Sequence, residues 1–294
     1  MSADLLAYIN GDWMPLSQAT VSVTDHGMQY GDGVFEGLGI SNRRVYSLQE
    51  HVDRLWFSAR YCRIDIGMTK DSMVDAVLET VRRNHLESGY MRLLVTRGAG
   101  PLGLEYSRDI ERPTIVVIPQ LRSKHSEDIR QNKGIRTIIA RTRRVPPEVF
   151  DPRVKSCNYL NNLMAKFEQW DAGVDAAIML DMRGFVAEGA GENIFCLQQG
   201  RLLTPRRTNI LDGITRQTVI RLARASGVDV EEADLTPYDL YMAEEVFFTS
   251  TLTQICPITE IDRHSIGSGV PGPVAKDMLR RLRELMAESR HVAF

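Results

Sequence analysis

VFDPRVKSCNYLNNLMAKFEQW, residues 149–170, runs from an extended segment into an amphipathic helix expected near residues 158–172, with Lys155 at the switch. From such a place a side chain can point into a cleft. The chain holds 36 basic residues, of which only Lys70, Lys124, Lys133, Lys155, Lys166 and Lys276 are lysines. Lys124 and Lys133 fall in a polar stretch, Lys70 at a helix start, and Lys166 and Lys276 on helices where solvent is the natural surrounding. A lysine that is desolvated or set beside another cation loses its proton more easily and becomes a nucleophile toward aldehydes. By position alone, an ordinary loop lysine is the simpler reading of Lys155.

Working outward, residues 5–120 alternate short apolar strands with helices in an α+β pattern: AYING, VFEGLGI, the helices, YMRLLVT and TIVVIP. Ser47 and Glu50 read as a capping box for the first of these helices, with Leu48, Val52, Leu55, Ala59 and Cys62 as its buried stripe. Residues 121–134 are dense in charge and read as a connection between a smaller domain over 1–120 and a larger one over 135–294, which would contain Lys155. The second part is again mixed: IRTIIART, a Pro-Pro loop, a helix, AAIMLD, a glycine-rich turn, NIFCLQQ, a helix over about 213–226, EEVFFTS and a terminal helix.

With 294 residues and a formal net charge of -2, the chain has no uniform basic field to gather nucleic acid or an anionic membrane. A small-molecule partner is the better default. No apolar run approaches the roughly 18 residues of a membrane span, and the amino terminus lacks a leader pattern, so a cytoplasmic protein is expected. Cys62, Cys157, Cys196 and Cys256 are scattered without a CxxC pair; reduced thiols are expected, and no metal site.

Four further stretches bear on chemistry. In VAEGAGEN, residues 186–193, Glu188 and Glu192 are presented at a turn, and a carboxylate facing a pyridine nitrogen would keep it protonated. Solvated hairpin acids explain the same letters. In LDGITR, residues 211–216, the amides of Ile214 and Thr215 open a helix and could cup a phosphate, although every helix has such an end. EEVFFTST then delivers Ser250 and Thr251. On the strand VFEGLGI, Phe35, Gly37 and Gly39 share one nearly bare face, which suggests close approach by a ligand or a bulky neighbour. In YMRLLVT, Tyr90 and Arg92 share a face that could grip a carboxylate or merely meet water.

Gly98, Gly100 and Gly103 spell GxGxxG after a strand, but Pro101 interrupts and GLEYSRDIERP runs on to another strand instead of opening a helix. A Rossmann turn is therefore not expected there. A flexible loop that could cover a pocket is.

Taken in order, DHGMQYGDGVFEG, EHVDRL, VTRGAGPLGL, VKSCNYLNN, EGAGENIF, LDGITR and EEVFFTST resemble the fold-type IV enzymes dependent on pyridoxal 5'-phosphate, specifically the branched-chain amino-acid aminotransferase family. The resemblance spans nearly the whole chain. It implies a two-domain α+β fold like that of D-amino-acid aminotransferase. Lys155 would be the covalent attachment point and catalytic base. Glu188 would face the pyridine nitrogen, Tyr159 the ring hydroxyl, and Arg54, Ile214, Thr215 and Thr251 the phosphate, with Leu211 beside the cofactor. Phe35, Gly37, Tyr90, Arg92 and Leu252 would form the substrate pocket. The family is dimeric, so Tyr30 and Leu104 would act across a subunit interface that roofs the site. The implied reaction is ping-pong exchange of an amino group between a branched-chain L-amino acid and 2-oxoglutarate. KSCNY is one residue shorter than the KxxxNY of many branched-chain enzymes, and Gly39 stands where many of them place a basic residue. Both departures keep D-amino-acid or (R)-amine transamination, or aminodeoxychorismate-lyase-like chemistry, as the alternative.

Overall fold

The computed structural model describes residues 4–121 and 130–294. Contacts divide the chain into two compact units, Met1–Arg122 with Val154–Asn158 and Met286–Phe294, and Ser123–Arg153 with Tyr159–Leu285. Most of the connection expected over 121–134 lies outside the described residues.

The first unit rests on six antiparallel strands: β1 (Leu6–Ile9), β2 (Asp12–Pro15), β3 (Gly33–Ser41), β4 (Arg44–Val45), β5 (Ser88–Thr96) and β6 (Thr114–Gln120). Their order is β2-β1-β6-β5-β3-β4. Strand alternation sends Val34, Leu38 and Ile40 of β3 and Met91, Leu93 and Val95 of β5 to one face. There they meet Leu48, Val52 and Leu55 of α2 (Leu48–Tyr61) and Met73, Val77 and Val81 of α3 (Lys70–Arg83) in one buried cluster. A short helix, α1 (His26–Tyr30), precedes β3.

The capping box expected at Ser47 does not form. Ser47 takes a left-handed conformation, φ 49, and its side chain makes no capping bond; an N-cap hydroxyl reaches the third helical amide from extended backbone instead. The buried stripe of α2 nevertheless forms at Leu48, Val52, Leu55 and Ala59, since burial rather than capping selects it, while Cys62 is the half-buried C-cap.

Lys155 belongs with the first unit rather than with the chain that follows residue 135. The amide of Phe35 donates to the carbonyl of Lys155 at 2.9 Å, and that of Cys157 to the carbonyl of Gly33 at 2.8 Å. Backbone pairing of this kind outweighs proximity in sequence. Residues near the carboxyl end join the same unit, with Val45 donating to His291 and Ala293 to Arg43, each at 3.0 Å.

The GxGxxG loop leads into a 3-10 turn, Leu104–Asp109, and then β6, with no α-helix at its end. Side chains of α1 hold it: His26 Nε2 lies 2.9 Å from the Pro101 carbonyl, and the Gly103 amide donates to the Tyr30 hydroxyl at 2.8 Å.

The second unit has a nine-stranded mixed sheet. It comprises β7 (Ile135–Ile139), β8 (Ala176–Leu180), β9 (Val186–Gly189), β10 (Asn193–Gln198), β11 (Arg201–Pro205), β12 (Val230–Ala233), β13 (Glu245–Ser250), β14 (Gln254–Ile261) and β15 (His264–Ser265). Its core gathers Ile178, Ile194, Val246, Phe248 and Ile258. Two helices matter for the site, α4 (Leu160–Asp171) and α5 (Ile214–Ala225). Glu188 lies within β9 rather than at the turn expected to present it, and Glu192 alone occupies that turn. Among the described residues no helix is long and apolar enough to cross a membrane, and no group of His, Cys, Asp and Glu is placed to hold a metal.

Leu55 is fully buried between α2 and the sheet. Leu55→Ala is expected to lower the unfolding free energy by about 2–5 kcal/mol, read from the midpoint of chemical denaturation.

Candidate active site

In the first unit the face of β3 turned away from the core is built around an aromatic ring. Phe35 is 6% exposed, and two cations lie over its ring: Arg92 Cζ at 4.2 Å from the centroid and Lys155 Nζ at 4.7 Å. The ring face is electronegative, so it attracts both. Register places Gly37 opposite Arg92 and Gly39 opposite Tyr90. A Cβ on Gly37 would stand 2.4 Å from the Tyr90 hydroxyl. The missing side chain is thus what lets the phenol lie across the strand. Phe35, Gly37, Tyr90, Arg92 and Lys155 are brought together on this face. Tyr30 and Leu104 lie at the glycine loop instead, Tyr30 accepting from the Gly103 amide and Leu104, next in the chain, 71% exposed.

The opposite face of β3 holds a group that the strand pattern did not prepare for. Glu36 is wholly buried among core residues, accepting from Arg54 Nε at 2.7 Å and Nη2 at 2.8 Å and from His51 Nδ1 at 2.7 Å. Burial alone would raise the Glu36 pKa, but the charge and hydrogen bonds of Arg54, joined by those of His51, outweigh it and hold the carboxyl far below its usual range. The His51 pKa is lowered as well, here by burial itself: Glu36 opposes, and the charges of Arg54 and Lys155 lower it further. Arg54 was expected from sequence; Glu36 and His51 were not.

In the second unit three donors converge on buried Glu188. Arg144 Nε reaches Oε1 at 2.7 Å, while Asn193 Nδ2 and the Leu211 amide reach Oε2 at 3.1 and 3.0 Å. A carboxylate, which only accepts, satisfies all three. Asn193 also donates to the Leu211 carbonyl at 2.9 Å, tying β10 to the start of α5. Gly213 makes this possible, because a Cβ there would stand 1.9 Å from Asn193 Oδ1. As N-cap, Gly213 gives α5 no side-chain capping bond, so the amides of Ile214 and Thr215 are not capped by it. Tyr159 is the N-cap of α4, and Thr251 and Leu252 follow β13 in a turn. Arg144 escaped sequence reading because it is one of several arginines between Arg141 and Arg153, and only its burial, 8% exposed, sets it apart.

These residues fit a phosphorylated pyridine aldehyde. The first unit offers an amine on a glycine-bared aromatic face and a fixed guanidinium; the second, taken by itself, offers a donor-held carboxylate and a helix start whose N-cap makes no side-chain bond.

The class IV amino-transferase model matches residues 33–261. A Methanocaldococcus jannaschii protein provisionally named as a branched-chain-amino-acid aminotransferase is 46% identical over 281 residues, 95% of each chain. The branched-chain-amino-acid aminotransferase of Pseudomonas aeruginosa is 34% identical over 289 residues, 97% of this chain and 94% of that one. Among solved structures, the branched-chain amino acid aminotransferase of Thermoproteus uzoniensis with norvaline superposes with a TM-score of 0.90 at 32% identity, covering 97% of this chain and 96% of that one. A further branched-chain amino acid aminotransferase, from T.th. and solved with pyridoxamine 5'-phosphate, gives 0.93 at 34% identity, covering 99% of this chain and 97% of that one. The chain belongs to the class IV aminotransferase family, and its mixed two-unit architecture is of the fold-type IV kind that the motif order implied.

All four cysteines are free, and burial pushes the Cys62 thiol up to about 11 and those of Cys157, Cys196 and Cys256 up to about 12. Thiolate is the reactive form, so a colorimetric thiol reagent at about pH 8 should find almost no reactive sulfur in the native protein and all four after denaturation.

His51 sets a pH window. Its folded pKa lies below the ordinary 6.5, so as pH falls through that value the unfolded chain takes up a proton that the folded one refuses. Stability should therefore fall on acidification from about pH 7 to about pH 5.5, by up to about 1.4 kcal/mol per pH unit from this group. Denaturation midpoints across that range should show a shallower slope in His51→Gln.

Proposed function

We propose that this chain exchanges the amino group of a branched-chain L-amino acid with 2-oxoglutarate, using pyridoxal 5'-phosphate in a ping-pong cycle. The observation that supports the reading best is Lys155 Nζ over the Phe35 ring, beside Arg92 and the Tyr90 that Gly37 admits. The relatives bearing that activity, at 34% identity and near-complete coverage, support the same substrate class.

In this reading Lys155 Nζ attaches the cofactor in the resting enzyme. When not so attached, Nζ would take the proton from the substrate α-carbon and hand it on, acting as base and then acid. The bound cofactor supplies an electron sink for the charge left on that carbon. Glu188 holds a proton on the ring nitrogen, and the three donors fixing its oxygens keep it aimed and ready to accept. Tyr159 meets the ring hydroxyl, with Leu211 beside the ring. Arg54, Thr251 and the amides of Ile214 and Thr215 hold the phosphate. Arg92 and Tyr90, with the Thr251 and Leu252 amides, receive the substrate carboxylate, while Phe35 and Gly37 shape the side-chain space. The proposal extends to a cytoplasmic homodimer with Tyr30 and Leu104 near the subunit interface, and four unbridged cysteines accord with a reducing compartment.

Borohydride treatment of the loaded protein should fix a phosphopyridoxyl group on Lys155, located by peptide mass mapping. Lys155→Ala should abolish both the label and isoleucine–2-oxoglutarate transamination, a loss of about 10⁴-fold or more. A panel of isoleucine, D-alanine and 1-phenylethylamine against 2-oxoglutarate and pyruvate checks the substrate class. Activity confined to the D-amino acid or the amine would overturn it.

A further inference from the structure

Glu36 is out of keeping with its strand. The residues that share its face, Val34, Leu38 and Ile40, are core at 0–4% exposure, and Glu36 is as buried as they are. Replacing a buried ion pair with apolar side chains of similar volume is commonly neutral or stabilising. A packed core therefore gains little from this carboxylate. What it does supply is direction. Two parallel bonds, to Nε and Nη2, fix the plane of the Arg54 guanidinium and with it the line along which Nη1 points.

That line starts beside the lysine segment. Arg54 and Ser58 lie one turn apart on α2 and so share a helix face. Ser58 Oγ accepts from the Lys155 amide at 3.2 Å, and the Lys155 charge is felt at His51. The side chain of Arg54 is 14% exposed where that of Glu36 is 0%, so the guanidinium stands at the margin of the core with its anchor inside. His51 completes the anchor. Its Nδ1 is the donor toward Glu36 Oε2, since an ionised carboxylate only accepts, and the bond keeps that oxygen from swinging away from Arg54.

We propose that Glu36 is a positioning residue, which through its two-point fork on Arg54, and with His51 behind it, sets the guanidinium for the cofactor phosphate. The inference rests on the phosphate role given to Arg54 above.

The test titrates pyridoxal 5'-phosphate and, separately, pyridoxal into the apoprotein, following fluorescence and absorbance. In Glu36→Gln the phosphorylated ligand should bind about tenfold more weakly while pyridoxal changes less than about twofold. In an Arg54→Ala background, Glu36→Gln should add nothing further. Equal losses for both ligands, or a full additional loss in that background, overturn the proposal, because a merely structural carboxylate would act on the whole site. Weakened binding in Arg54→Ala with none in Glu36→Gln overturns this inference alone. No loss in Arg54→Ala overturns the phosphate role as well. Where thermal melting shows the Glu36→Gln apoprotein to be unfolded, Arg54→Lys replaces it. This variant keeps the charge and loses the fork, and its phosphate-specific loss should lie within about threefold of that of Arg54→Ala. A lysine as good as arginine overturns the proposal.

Discussion

Two backbone hydrogen bonds, Phe35 to Lys155 and Cys157 to Gly33, are the constraint on which the first unit's chemistry depends. They pin a segment distant in sequence along β3. The lysine is thereby held in register with the strand whose outward face supplies Phe35 and Gly37. A side chain with four rotatable bonds gains a defined reach only when its own Cα is fixed. Main-chain pairing thus fixes the Lys155 backbone, and its amine lies over the Phe35 ring.

β3 shows how one pleat serves two purposes. Odd positions turn Phe35, Gly37 and Gly39 to the chemical face, and even positions turn Val34, Glu36, Leu38 and Ile40 to the core. The odd set was legible from sequence, because two glycines on one face of a strand are unusual. Glu36 was equally visible as an acid in an apolar series. Its meaning needed partners that only folding reveals, for His51 and Arg54 come from α2. Arg144 was less legible still, since nothing in a run of arginines marks the one that will be buried against Glu188. The elements themselves followed from periodicity, whereas the capping box at Ser47 did not. Capping depends on one residue's φ, and a motif of two letters does not report it.

In the second unit, two of the three donors on Glu188 are uncharged. Glu188 is held by a guanidinium, an amide side chain and a main-chain amide, and Asn193 links that cluster to the start of α5. One asparagine thus couples the acid expected at the pyridine nitrogen to the helix start expected at the phosphate. Gly213 is the residue whose smallness allows the link. Networks of this kind restrict geometry more than they stabilise, because each member is aimed by the next.

The pairing of residues 286–294 with Arg43 and Val45 has a consequence for how the chain comes to be folded. The first unit uses residues from both sides of the second, and the second is therefore an insertion in it. During synthesis the β3 sheet can collapse early around α2 and α3. It lacks its lysine segment until residue 158 has emerged, and its β4 edge stays open until residues 286–294 follow. The inserted unit, continuous from residue 159 to residue 285 once its own first strand is made, faces no such delay. Of the two, the part holding the reactive amine is the one whose completion waits longest on the ribosome.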